Sequence, residues 1–262
     1  MMLLERIFKQ RKLMMIKIRF VFLYLMVIAL SLAGCSGRYQ FFQDEGNLTK
    51  NEVSVNEKHR AEANSQEVSS PEVIPVLVNK TNKLPDDYHP SDLIYPDIPF
   101  TFKQKAEKRQ MRADAGAAIE KLFAGAKKQG VNLLGVSAYR SHASQAALFK
   151  YYANQDGYEA ARKYSAVPGT SEHETGLAID VTGGDGKCAA EDCFEGTKEA
   201  IWLQDHAEEY GFIIRYPKGK DEITGYQYEP WHLRYVGKAI AKEIMSRGIT
   251  LEEYVDSTVV NN

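Results

Sequence analysis

Thiols are scarce in this chain, with three cysteines in 262 residues. A zinc knuckle needs more thiols or nearby histidines than these three supply. No excess of one charge exists either: 33 Lys and Arg face 35 Asp and Glu, and the formal net charge is -2. Both signs are mixed along the sequence, whereas a nucleic-acid-binding surface concentrates basic residues. That class of partner is therefore excluded. The chain has no phosphate loop and no dinucleotide fingerprint, and it shows no internal repeat or low-complexity tract. One long apolar run stands out, FVFLYLMVIALSLAG at residues 20–34.

Arg6, Lys9, Arg11, Lys12, Lys17 and Arg19 precede that run, and Cys35 follows it. A basic segment, a short apolar stretch and small residues before a cut describe an export signal. The alternative reading of the run is a plain transmembrane anchor. Leu32-Ala33-Gly34-Cys35 resembles a bacterial lipobox, in which the cysteine is lipidated and becomes the mature N-terminus. The expected organisation is a lipoprotein-type signal peptide over 1–34, then lipidated Cys35 and a flexible linker to residue 72. A folded domain follows over 73–258, with a short tail at 259–262. The linker is polar and lacks periodicity, so it buries too little to fold alone. Export places the domain outside the cytoplasmic membrane of a bacterium. In an oxidising compartment, Cys188 and Cys193 in KCAAEDCFEG are expected to close a small disulfide loop, with two free thiols as the alternative.

Within the domain, VIPVLVNK from Val73 is β-prone, and the prolines of LPDDYHPSDLIYPDIPF mark extended or turned chain. Apolar spacing predicts a helix over Lys103–Gln129 that stops at Gly130. VNLLGVSAYRS, GLAIDVTGG, GFIIRYP and WHLRYVG read as strands. HASQAALFKYYANQ, DGYEAARKYSA, TKEAIWLQDHAEEYG and GKAIAKEIMSRG read as helices. The intervals do not repeat a βαβ unit. The expected fold class is α+β, a small and mainly antiparallel sheet flanked by helices.

Chemistry concentrates in two short stretches, SEHETGLAID (171–180) and YEPWH (228–232). A hydrolytic zinc site needs three nitrogen or carboxylate ligands, a carboxylate near the reacting water, and a group to meet the developing oxyanion. His173 lies in a turn before a strand. Asp180 sits inside an apolar run, where an acid is costly unless it is paired or metal-bound. His232 opens another strand, and Pro230 keeps neighbouring Glu229 out of a helix. Each piece alone has an ordinary structural reading. Asp180 could pair with Arg140 or Arg215, Glu229 could be a solvated turn residue, and Trp231 could be core.

Together these stretches, preceded by SAYRS and WLQDHAEEYGFIIRYPKGK, closely resemble the VanY-like zinc D-alanyl-D-alanine carboxypeptidases and the related L,D-carboxypeptidases of peptidoglycan. The resemblance spans about Val73 to Val255. It implies zinc ligands at His173, Asp180 and His232, one Zn2+ per chain, and Glu229 as general base. Arg140 would meet a substrate carbonyl or carboxylate. Gln145 and Ser171 would bind substrate, and Tyr216, Tyr226 and Trp231 would wall the pocket or serve as packing. The remaining histidines, His59, His89, His142 and His206, are expected at surface or structural positions, with His142 close enough to Arg140 to line the cleft. The implied activity is removal of the terminal D-alanine from peptidoglycan stem peptides, with the chain a monomer. L,D-cleavage of tetrapeptide stems, a zinc endopeptidase and a non-catalytic peptidoglycan-binding lipoprotein remain open alternatives.

Overall fold

A computed structural model describes residues 66–68 and 70–260, so Cys35, the expected leader and most of the expected linker lie outside it. Eight strands run through the described residues: β1 (Gln66–Glu67), β2 (Asn82–Lys83), β3 (Leu93–Ile94), β4 (Met111–Arg112), β5 (Leu133–Ser137), β6 (Ala178–Gly183), β7 (Phe212–Ile214) and β8 (His232–Tyr235). The α-helices are α1 (Ala113–Lys128), α2 (His142–Asp156), α3 (Tyr158–Tyr164), α4 (Lys198–His206), α5 (Asp221–Thr224), α6 (Lys238–Arg247) and α7 (Leu251–Val260). The principal sheet has the order β5-β6-β8-β7 and every pairing in it is antiparallel. The α+β architecture with a small antiparallel sheet and flanking helices is the one expected.

Strand periodicity sets which way this sheet works. Neighbouring side chains on a strand point to opposite faces. Ile179 and Val181 of β6, Leu233 of β8, and Phe212 and Ile214 of β7 join the main apolar core. α1 supplies Ala115, Ile119, Leu122, Phe123 and Ala126 to that core at helical spacing. The intervening residues Asp180 and His232 therefore occupy the other face. Further along that side, Ile213 of β7 joins Val236, Ala241, Ile244 and Leu251 in a second cluster built largely by α6 and α7. Both faces of the sheet are thus covered, and β6 is buried along its whole length. Polar residues on the second face must find partners there or pay heavily in desolvation.

Three local readings differ from expectation. The helix expected from Lys103 begins only at Ala113, after a 3-10 turn at Glu107–Arg109. Met111 and Arg112 instead pair with Ile94 and Leu93, and the Arg112 guanidinium donates to Asp92 at 2.9 Å and to the Glu72 carbonyl at 2.9 Å. These long-range contacts outweigh a weak local helix preference. In VIPVLVNK, Val76 and Val78 are buried but the segment is irregular, and only Asn82–Lys83 forms a strand. That strand pairs in parallel with β1, which lies inside the segment read as linker. No element is expected over LEEYVDSTVV, where the structure has helix α7. A capping box starts it: the Glu253 N–H donates to Thr250 Oγ1 at 3.2 Å, and the Thr250 N–H donates to Glu253 Oε2 at 2.8 Å.

Candidate active site

The register of the sheet assembles the first half of the site. Asp180 on β6 lies directly opposite His232 on β8, and His232 Nδ1 is 3.0 Å from Asp180 Oδ1. His173 arrives from the 3-10 turn Glu172–Thr175 just ahead of β6. Gly176 ends that turn in the left-handed region at φ +70°, where its N–H donates to the His173 carbonyl at 3.2 Å. A side chain there would carry backbone strain. A Cβ would also come within 3.0 Å of Arg112 and Leu93 side-chain atoms. The turn brings His173 Nε2 to 3.3 Å from Asp180 Oδ2.

Ligand-capable atoms of His173, Asp180 and His232 all lie within 4.8 Å of one another, and all three residues are buried. The two imidazole rings meet edge to face with centroids 5.0 Å apart. His173 Nδ1 is 2.7 Å from the Ala138 carbonyl. A carbonyl only accepts, so Nδ1 donates to it and Nε2 is the nitrogen left facing Asp180. Two imidazole nitrogens and a carboxylate converging from separate elements form the donor set that a divalent transition metal takes. The residues fit a metal ion.

Glu229 stands beside this cluster without belonging to it. Its Oε2 is 3.9 Å from His232 Nδ1. Burial pushes the Glu229 carboxyl up to about 7, with help from Asp180 and Glu172 and opposition from His232. Asp180 is held well below the usual carboxylate range: burial would raise it, and the two histidines outweigh burial. Burial would lower His232, yet the Asp180 and Glu172 carboxylates on either side of the ring raise it to about 9. The paired and unpaired carboxylates thus have opposite proton affinities within one small volume. Such a split is what acid–base chemistry requires.

A cavity of about 430 Å³ opens onto the cluster and is lined by Arg140, Ser171, Tyr216, Tyr226, Glu229 and Trp231 along with the three candidate ligands. Tyr216 stacks between Tyr226 and His232, with centroid distances of 4.6 and 5.0 Å. Arg140 follows β5, and its N–H donates to the His173 carbonyl at 3.1 Å. Its guanidinium donates to Gln145 Oε1 at 2.8 Å and to Ser137 Oγ at 3.2 Å. Gln145 is buried behind Arg140 and donates to the Ala166 carbonyl at 2.6 Å. It does not line the cavity, and its influence passes through the position of Arg140.

The other candidates fall elsewhere. His142 Nδ1 is 2.9 Å from Glu174 Oε2, and this histidine lines a neighbouring cavity with Lys80, Lys83 and Arg162. His206 pairs with Glu209 on the surface at 2.8 Å. His89 meets Tyr139 edge to face, and His59 lies outside the described residues. Cys188 and Cys193 are joined in a disulfide. Arg215 does not touch Asp180; it binds Glu172 and Glu252.

Glu172 is the residue that the sequence reading passed over. It is fully buried, and its Oε1 accepts from Arg215 Nε at 2.7 Å and from Arg234 Nη1 at 2.5 Å. Burial would raise this carboxyl, but the two guanidiniums hold it well below the usual range. The signal was present as two arginines inside apolar strands, in FIIRY and HLRYV, each needing a buried acid.

Comparisons with known proteins agree with this geometry. The profile of the VanY family, described as D-alanyl-D-alanine carboxypeptidase, matches residues 108–238. The chain is 47% identical over 189 residues to YodJ of Bacillus subtilis (strain 168), covering 72% of this chain and 69% of that protein. Among solved structures, the LdcB LD-carboxypeptidase superposes with a TM-score of 0.71 at 46% identity, covering 73% of this chain and 90% of LdcB. The vancomycin-resistance D,D-pentapeptidase VanY from a VanB-type cassette, solved with Zn(II), gives a TM-score of 0.55 at 34% identity, covering 69% of this chain and 97% of that one. A buried His-Asp-His cluster with a glutamate at its edge and these matches lead to one conclusion: the chain belongs to the VanY family of D-alanyl-D-alanine carboxypeptidases.

Proposed function

We propose that this protein is a zinc carboxypeptidase that removes the terminal D-alanine from peptidoglycan stem peptides. The observation that carries the reading is the convergence of His173, Asp180 and His232 on one point, with Glu229 beside them in the same cavity, 3.9 Å from His232. A non-catalytic binding module has no use for that fourth residue. A zinc ion held by those three side chains would supply Lewis acidity for peptide hydrolysis at neutral pH.

The chain's own residues supply the remaining parts. Ionised Glu229 accepts the proton of the attacking water, and its burial favours the neutral carboxyl that results. The same proton then passes to the leaving amine of D-alanine. Arg140, pinned by Gln145 and Ser137, presents a fixed guanidinium to the substrate's carboxylate or to the oxyanion. Tyr216, Tyr226 and Trp231 give the cavity apolar walls that exclude water around the scissile bond. Ser171 lines the same cavity within reach of substrate, and no serine nucleophile is needed.

The family profile, described as D-alanyl-D-alanine carboxypeptidase, supports D,D-cleavage, which on a stem means the pentapeptide. A second reading, L,D-cleavage of tetrapeptide stems, is favoured by the closer superposition on LdcB. Incubating the purified protein with each stem and weighing the products separates the two. D-Alanine release from the pentapeptide alone supports the first, release from the tetrapeptide alone supports the second, and release from neither contradicts both.

The location also belongs to this proposal. Lipidation at Cys35 would tether the enzyme to the outer face of the cytoplasmic membrane, where its substrate is assembled. The signal-like residues 1–34 support export, and the disulfide between Cys188 and Cys193 suits an oxidising compartment.

A further inference from the structure

The two candidate histidine ligands differ in how the structure fixes them. His173 gives its Nδ1 proton to a backbone carbonyl and turns Nε2 toward Asp180. His232 is reversed: Nδ1 faces Asp180 and Glu229, while Nε2 faces Glu172. His232 Nε2 and Glu172 Oε2 face each other at 3.5 Å, and both atoms are buried with no hydrogen-bond partner elsewhere. A shift of about half an ångström brings them into ordinary hydrogen-bond range.

Glu172 cannot easily turn away. Its other oxygen is held by Arg215 and Arg234. Arg215 in turn forks onto Glu252 of α7 at 2.9 and 2.6 Å, and Glu252 accepts from Asn79 at 3.1 Å. Arg234 also donates to the Val76 and Tyr235 carbonyls. Two carboxylates and two guanidiniums thus form a closed cluster beneath the site, with Oε2 of Glu172 left over for the imidazole.

We infer that Glu172 is a positioning residue: it accepts the Nε2 proton of His232 and so commits Nδ1 of that ring to the metal. This rests on the metal reading above. A histidine ligand whose second nitrogen donates to a carboxylate has its tautomer and orientation fixed, and losing such a partner typically weakens metal binding by about 10- to 100-fold. Arg215 and Arg234, which only donate, keep the acceptor oxygen of a residue-172 amide on their side. In Glu172→Gln the amide NH2 therefore faces His232, and two donors confront each other. The ring relieves the conflict by moving its proton to Nδ1, which removes the ligating lone pair.

The test uses full-length protein loaded with spin-active cadmium in place of zinc, with labelled imidazole nitrogens. Metal–nitrogen coupling is expected to Nδ1 of His232 and Nε2 of His173, with a slowly exchanging proton on His232 Nε2. In Glu172→Gln, zinc affinity measured by chelator competition is expected to fall about 10- to 100-fold, and the His232 coupling is lost. Coupling through His232 Nε2, or native zinc affinity in a folded Glu172→Gln protein, overturns the inference and leaves the metal reading intact. A wild-type protein that takes up no metal overturns both. If the substitution prevents folding, the wild-type coupling pattern and the exchange of the Nε2 proton decide the matter.

Discussion

Glu229→Gln is expected to lower turnover by about 10²- to 10⁴-fold, the range ascribed to a positioned general base. The amide keeps the shape of the side chain but accepts no proton at neutral pH. Zinc content and KM should change little, because Glu229 is not one of the three converging ligands and stands 3.9 Å from His232 Nδ1. Steady-state kinetics on the preferred stem peptide, with metal content measured on the same sample, checks both halves. Turnover near the wild-type rate removes Glu229 from the mechanism. A loss of zinc together with activity would instead make it a ligand.

The second large effect concerns stability. Arg215 is completely buried and is the link between Glu172 and Glu252. Arg215→Ala leaves two buried carboxylates short of their counter-charge, and breaking one side of such a cluster costs about 3–5 kcal/mol. Urea denaturation of the variant should show its midpoint lowered accordingly. Arg247 offers the contrast. It pairs with Glu243 one helical turn away, but both side chains are nearly half exposed, at 46% and 47%, and such pairs contribute at most about 1 kcal/mol. Equal losses from Arg215→Ala and Arg247→Ala would refute the view that the buried cluster holds α7 to the sheet.

These two predictions mark where the sequence was legible. Strands such as GLAIDVTGG and WHLRYVG announced themselves through apolar runs interrupted by single polar residues. Those interruptions, Asp180 and His232, turned out to be register partners on the face opposite the core. The candidate ligand set and Glu229 could be proposed because resemblance joined two distant stretches that periodicity alone leaves separate. What could not be read were relations set by tertiary contact. The late start of α1 depends on Met111 and Arg112 being taken into a strand pair with Leu93 and Ile94. The place of Gln145 behind Arg140 depends on how α2 leaves β5. Glu172 was hidden for a simpler reason: an acid between a serine and a histidine in a turn looks solvated until two arginines from other strands are seen to close on it.

One measurement bears most directly on the central claim, a diffraction experiment on zinc-loaded crystals at the zinc absorption edge. The expected result is a single anomalous peak about 2.0–2.2 Å from one nitrogen of each of His173 and His232 and from an Asp180 oxygen, with Glu229 outside bonding distance. An active protein whose peak lies elsewhere, or one that shows no peak between those side chains, would contradict the account.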